Sequence, residues 1–80
     1  MPRKVLSISD ALGNPERREI ILYLMENPGI SIKKLAKDLN ISPGKISSHL
    51  LILSRVGLVS IQRYNGRLML FLNEKLLTEE

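Results

Sequence analysis

Seven basic side chains fall between residues 33 and 67: Lys33, Lys34, Lys37, Lys45, Arg55, Arg63 and Arg67. One acid, Asp38, shares that window, which therefore carries +6. Outside it five basic residues meet seven acids, so the +4 of this 80-residue chain is the balance of two unlike parts. Cations gathered in one stretch, with hydroxyls interleaved at Ser42, Ser47 and Ser48, suit a polyanion: ammonium and guanidinium groups for phosphate oxygens, hydroxyls for phosphates or base edges. Other chemistries are poorly provided for. There is no cysteine, which excludes disulfides and thiolate metal sites, and His49 is the sole histidine. No carboxylate pair and no glycine-rich phosphate loop completes a catalytic set, so the expectation is a protein that is not an enzyme and needs no cofactor or metal.

These groups need a rigid carrier, and residues 41–57, ISPGKISSHLLILSRVG, supply one. Ser42 is a good N-cap, Pro43 follows where its missing N–H is harmless, and Gly57 suits the left-handed residue that closes a helix, with Leu58 set to touch Leu53. At 3.6 residues per turn, Ile46, Leu50 and Leu53 form an inner stripe, leaving Gly44, Ser48, Leu51 and Arg55 on the opposite face. Little bulk, hydroxyls and a cation near the N-terminal half are what a helix entering a major groove requires.

Asn14-Pro15 repeats the cap-plus-proline signature, with Glu16 where the helix dipole favours an acid. It predicts a helix from Pro15 to about Glu26, with Ile20, Ile21, Leu24 and Met25 in the core and Leu22 and Tyr23 off the stripe, available for contact between two copies. Ahead of it, Val5, Leu6, Ile8 and Leu12 suggest a short helix capped by Ser9 or Asp10. Asn27-Pro28-Gly29 breaks the chain, Ile30 and Ser31 suit a very short strand, and Ser31 caps a helix whose Ile32, Leu35, Ala36 and Leu39 repeat at i, i+3, i+4 and i+7. Its outer face carries Lys33, Lys34 and Lys37, two of them in the first turn, where the dipole disfavours cations. An external anion is one reason to keep them there.

Asn40 and Ile41 make a turn of helix-turn-helix length: Asn tolerates the left-handed conformation, and Ile41 plugs the angle between helices. Beyond Gly57, Val59 to Arg63 and Leu68 to Leu72 flank Asn65-Gly66, the strongest short hairpin signal. The implied register pairs Tyr64 with Arg67, Arg63 with Leu68, Ile61 with Leu70 and Val59 with Leu72. It places Val59, Ile61, Leu70 and Leu72 on one inner face and leaves Arg63, Tyr64, Asn65 and Arg67 at the tip. Leu76 and Leu77 suit a short terminal helix. The expected fold is mostly α with a small β-hairpin wing (α+β), a winged helix-turn-helix, with residues 1–80 as one domain. A core this small gains from pairing, so a homodimer is expected. No apolar run is long enough to span a bilayer and no apolar stretch follows the N-terminal Met-Pro-Arg-Lys, so the expectation is a cytoplasmic protein without a membrane partner.

Residues 11–20, ALGNPERREI, resemble the "AL-x-x-P-x-R-x-x-I" opening of the ArsR-like family of dimeric bacterial and archaeal transcription regulators. Ser42 to Val59 resembles that family's "S-x-x-x-[VI]-S-x-H-L-x-x-L-x-x-x-G-L-V" run, with His49-Leu50 and Gly57-Leu58-Val59 in register; with the wing, the likeness covers roughly residues 9 to 73. It implies a sequence-specific regulator of double-stranded DNA, a dimeric repressor that sets two recognition helices about 34 Å apart in successive major grooves. By this resemblance Ser42, Gly44, Lys45, Ser47 and Ser48 are the candidates for base edges, with Lys45 the guanine reader. Lys33, Lys34, Lys37, His49, Arg55 and the wing residues Arg63, Tyr64, Asn65 and Arg67 fall to phosphate or minor-groove contact. The departures are informative. Where metal-sensing members carry a cysteine pair this chain has Ile30-Ser31-Ile32, so no metal sensor is expected and any effector is unknown. An alternative stays open: Leu51, where the family usually has a polar residue, suits a winged-helix protein-interaction module or a sequence-neutral architectural DNA binder.

Overall fold

Polar side chains with their own amides to satisfy set where the helices begin. The computed structural model describes residues 7–78, in the order α1 (Ile8–Ala11), α2 (Pro15–Glu26), α3 (Ile32–Leu39), α4 (Pro43–Arg55), β1 (Val59–Tyr64), β2 (Arg67–Leu72) and α5 (Lys75–Thr78). Asn14, Ser31 and Ser42 each accept a hydrogen bond from the backbone three residues on, at Arg17, Lys34 and Lys45. The cap of α1 is Ser7, not Ser9 or Asp10: Ser7 Oγ accepts from the Asp10 amide at 3.0 Å while the Asp10 carboxylate accepts from the Ser7 amide at 3.3 Å. Asp10 is thus the reciprocal partner of the cap. Val5 and Leu6 lie outside the described residues.

The ends are equally specific. Asn40 takes φ 56° at the end of α3, freeing the Ile41 amide to donate to the Ala36 carbonyl at 3.1 Å and turning Ile41 inward. Gly57 takes φ 85° after α4, so that its amide donates to Ser54 O and that of Leu58 to Leu53 O, the paired closure that needs a left-handed residue. Leu53 and Leu58 are both fully buried as a result.

α2, α3 and α4 close over one core of Ile20, Leu24, Leu35, Ile46, Leu50 and Leu53, to which the hairpin adds Val59 and Leu70. Each such side chain contributes about 1.5–3 kcal/mol relative to an exposed one. Met25, expected in this core, is half exposed. The buried stripe of α2 is narrow, Ile20, Ile21 and Leu24, and Met25 lies beyond its edge, where with Leu12, Ile21, Leu22 and the stem of Arg18 it lines an apolar surface hollow.

The hairpin pairs in the expected register, Val59 with Leu72 through Tyr64 with Arg67, across a turn in which Asn65 and Gly66 both have positive φ. Its inner face holds only at the foot. Val59 and Leu70 are buried and Leu72 is half-buried, but Ile61 is exposed, because the strands have left the helical body by that point. The foot is tied twice. The Gly29 amide donates to Leu70 O at 2.8 Å, that of Leu70 to Ile30 O at 2.9 Å, and Ser31 forms an isolated bridge with Met69, so residues 29–31 are tied alongside β2. On the other side the Asn73 amide donates to Leu58 O at 2.7 Å.

Candidate nucleic-acid interface

α4 presents the expected outer surface. Ser42, Gly44, Lys45, Ser47, Ser48 and Arg55 are all exposed, and Leu51 is 55% exposed. A methyl group built on Gly44 would meet nothing within 4 Å, so packing inside the chain does not require glycine there. What the position offers is room for something outside to approach the helix axis.

Two further elements carry cations outward. Ser31, Lys33, Lys34 and Lys37 from the start and outer face of α3 line one open concavity with Arg67 from the wing, and the Ser31–Met69 bridge holds α3 and β2 together beside it. Within it Lys34 alone has an anionic partner: its ammonium lies 3.3 Å from the Asp38 carboxylate one turn on. That carboxylate also accepts a 2.5 Å bond from the Tyr23 hydroxyl, which, with Lys34, holds Asp38 below its ordinary value and pushes Tyr23 up. Among the described residues Lys33, Lys37, Lys45, Arg55, Arg63 and Arg67 have no hydrogen-bonded partner or ion pair, so their charge is available outward. At the wing tip Arg67 pairs across the strands with Tyr64, which is 68% exposed, and Arg63 pairs with Leu68. Since alternate strand residues face opposite ways, the tip carries a cation on each face.

His49 is placed differently from its neighbours. Its ring is half-buried and turned into the molecule: Nε2 is 2.8 Å from Glu16 Oε1, and Nδ1 is 3.4 Å from Arg17 Nη1. Arg17 can only donate, so Nδ1 accepts and Nε2–H donates to the carboxylate, the neutral tautomer. Arg17 Nε also donates to Ala11 O at 2.6 Å, linking the end of α1, the first turn of α2 and the middle of α4. The bond from His49 and the charge of Lys45 hold the Glu16 carboxyl below its ordinary value. In the sequence Glu16 is legible only as a dipole-favoured acid; its partner is 33 residues away, a separation no local spacing rule reaches.

The described residues contain no group of three or more His, Cys, Asp or Glu placed to hold a metal ion, and no helix long and apolar enough to cross a membrane.

A sequence model of the family "Bacterial regulatory protein, arsR family" matches residues 14–60. Over 67 residues the chain is 33% identical to an uncharacterized HTH-type transcriptional regulator of Methanocaldococcus jannaschii, a match covering 84% of this chain and 17% of that one. The chain thus spans about a sixth of the length of that curated relative. Among solved structures it is similar to a transcriptional regulator homologue from Pyrococcus horikoshii OT3, with a TM-score of 0.77 and 28% identity over 84% of this chain and 70% of that one. A predicted DNA-binding transcriptional regulator from E. coli is similar to the same degree, with a TM-score of 0.77 and 27% identity over 84% and 70%.

Proposed function

The chain belongs to the arsR family of bacterial regulatory proteins, a family of regulators rather than enzymes, and from that premise we propose that it binds double-stranded DNA and regulates transcription. The observation that supports this best is the placement of the unpaired cations: Lys45 on the first turn of α4 among exposed hydroxyls and an uncrowded glycine, and Lys33 and Lys37 on α3 in one concavity with Arg67 of the wing. In this reading α4 enters the major groove, with Ser42, Gly44, Lys45, Ser47 and Ser48 toward base edges and Leu51 toward a thymine methyl. Arg55, the α3 lysines and the wing residues Arg63, Tyr64, Asn65 and Arg67 hold the backbone on either side. His49, expected at phosphate, instead fixes α4 against α2, because both ring nitrogens are taken by Arg17 and Glu16.

The active form in this proposal is a cytoplasmic homodimer without a metal sensor that represses by occupying its operator. The apolar hollow around Leu22 and Met25 favours a second copy, since it places two exposed large side chains side by side on one helix. Selection from random duplexes at several salt concentrations tests the DNA reading. A reproducible, roughly palindromic motif is expected; binding without preference indicates a sequence-neutral architectural protein, and no binding indicates an interaction module.

A further inference from the structure

A helix can read bases only if it is held at one roll and one height on the body. The apolar stripe of α4, Ile46, Leu50 and Leu53, does not fix either by itself. Apolar contact is non-directional, and ridge-into-groove packing leaves a scatter of about ±15–20° in the angle between helices. A roll of about 10° carries a side-chain tip, some 5–6 Å from the helix axis, through about 1 Å, enough to spoil a hydrogen bond whose useful range is ~2.7–3.2 Å. His49 supplies the missing direction. It stands three residues from Ile46 and four from Leu53, at the margin of the stripe, and four from Lys45, one turn along the same side of the helix. Its side chain is only 12% exposed, and its Nε2–H reaches Glu16 Oε1 at 2.8 Å. Glu16 in turn lies in the capped first turn of α2, between Pro15 at the first helical position and Arg17, whose amide donates to Asn14 Oδ1 at 3.1 Å.

We propose that His49 is a positioning residue for base reading: held by Glu16, it sets the roll and height of α4, and with them where Gly44, Lys45, Ser47 and Ser48 meet the base pairs, without touching DNA itself. This inference rests on the DNA-binding reading above and deepens it. One hydrogen bond fixes a point, and the second ring nitrogen fixes the ring. Nδ1 lies 3.4 Å from Arg17 Nη1, and the same guanidinium donates through Nε to Ala11 O at 2.6 Å, so the imidazole is held by two adjacent residues of one anchored turn. Because a helix moves as a unit, a displacement at His49 is a displacement at Lys45 and Ser48. The two classes of DNA contact respond unequally to it. Phosphate contacts from the long side chains of α3 and the wing come from other elements and tolerate a small shift of α4, whereas directed contacts to base edges do not. Loss of the tie therefore lowers affinity for the matching sequence toward that for any other, while non-specific binding stays.

Glu16→Ala and Glu16→Gln separate the bond from the charge. Both remove the same negative charge, so any general effect of net charge on affinity is common to them, but an amide oxygen still accepts from His49 Nε2–H and a methyl group does not. Wild type and both variants are measured for affinity on the selected duplex and on a random-sequence duplex, well below the melting temperature of each. The ring N–H proton resonance is followed in parallel: His49 is the sole histidine, so the signal is unambiguous, and it is visible where a hydrogen bond slows exchange with water. Glu16→Gln is expected to keep the signal and to hold the ratio of the two affinities within about twofold of wild type. Glu16→Ala is expected to lose the signal and to lower the ratio about tenfold, on the order of one good base contact, with affinity for the random duplex equal in the two variants. The ratio must follow the bond. A variant that keeps the signal and loses the ratio, or loses the signal and keeps the ratio, overturns the proposal, and so does equal weakening of both duplexes by Glu16→Ala. A wild type that binds neither duplex, or both alike, refutes the DNA reading itself, and the inference with it, whatever the ring signal shows.

Discussion

Replacing Lys45, Lys33 and Lys34 one at a time by alanine separates the roles proposed for cations on this surface. Lys45 is on the first turn of α4 and makes no ion pair within the chain, so its loss removes a base contact: about 1–3 kcal/mol, or roughly five- to 150-fold in Kd, concentrated at one or two positions of the preferred sequence. Lys33 and Lys34 are on the first turn of α3, in the concavity shared with Arg67, where phosphate is the expected partner. A lost phosphate contact weakens all sequences alike and lowers the slope of log K against log salt by about one unit. The two lysines are not equivalent. The Lys34 ammonium is committed to Asp38 at 3.3 Å, and that carboxylate is itself held by Tyr23, so reaching DNA means giving up a partner that Lys33 does not have. Lys33→Ala should therefore weaken binding more than Lys34→Ala, and Asp38→Asn should strengthen the contribution of Lys34. The assay is binding of each variant to the selected duplex and its single-base variants across salt. If Lys45→Ala weakens every duplex equally and leaves the preferred motif unchanged, α4 is not read into the groove as proposed, and the assignment of base-contacting residues falls with it.

The wing should supply affinity rather than choice: Arg63→Ala and Arg67→Ala are each expected to lower the salt slope by about one unit without altering the motif, and unchanged affinity at ~0.1 M salt would place the hairpin off the DNA. Gly57→Ala forces an L side chain to φ 85° with its Cβ 3.3 Å from Leu76 Cδ1, and should lower stability by about 1–2 kcal/mol in urea unfolding. Asp38 has a lowered folded-state pKa, so the stability it adds is fully present above its unfolded value of 3.8 and disappears as pH falls through the lower folded one. The gap in melting temperature between wild type and Asp38→Asn should accordingly be constant from pH 7 to pH 5 and close below about pH 3.8; a gap that widens in acid contradicts the assigned partners. Sedimentation at micromolar concentration should show twice the 9.1 kDa of one chain, and Leu22→Glu should shift it toward the monomer.

Local chemistry is the legible part of this fold. Caps, closures and the hairpin turn depend on neighbours within about six residues, so Ser42, Asn40, Gly57 and Asn65-Gly66 can be placed from residue type alone, and the hairpin register follows from its two-residue loop. Expectation and structure part where a residue's environment is set by what packs on it. Met25 and Ile61 satisfy the apolar periodicity of their elements, yet α2 buries a stripe narrower than that periodicity allows, and the wing outruns the body that would have covered Ile61. A hydrophobic pattern specifies which face turns inward; it does not specify how far along the element there is something to turn toward.

The same limit governs the proposed DNA surface, in its electrostatics. Summing charge along the chain finds the basic stretch correctly, because its cations come from successive elements that the fold keeps adjacent. It also assigns Glu16 to the acidic remainder, while the family resemblance assigns His49 to phosphate or minor-groove contact. In three dimensions the first turn of α2 is pressed against the middle of α4, and Arg17 and Glu16 take the two nitrogens of one ring. A sum of charge along the chain does not find that tie, because its partners lie 33 residues apart and only the packing of α2 on α4 brings them together.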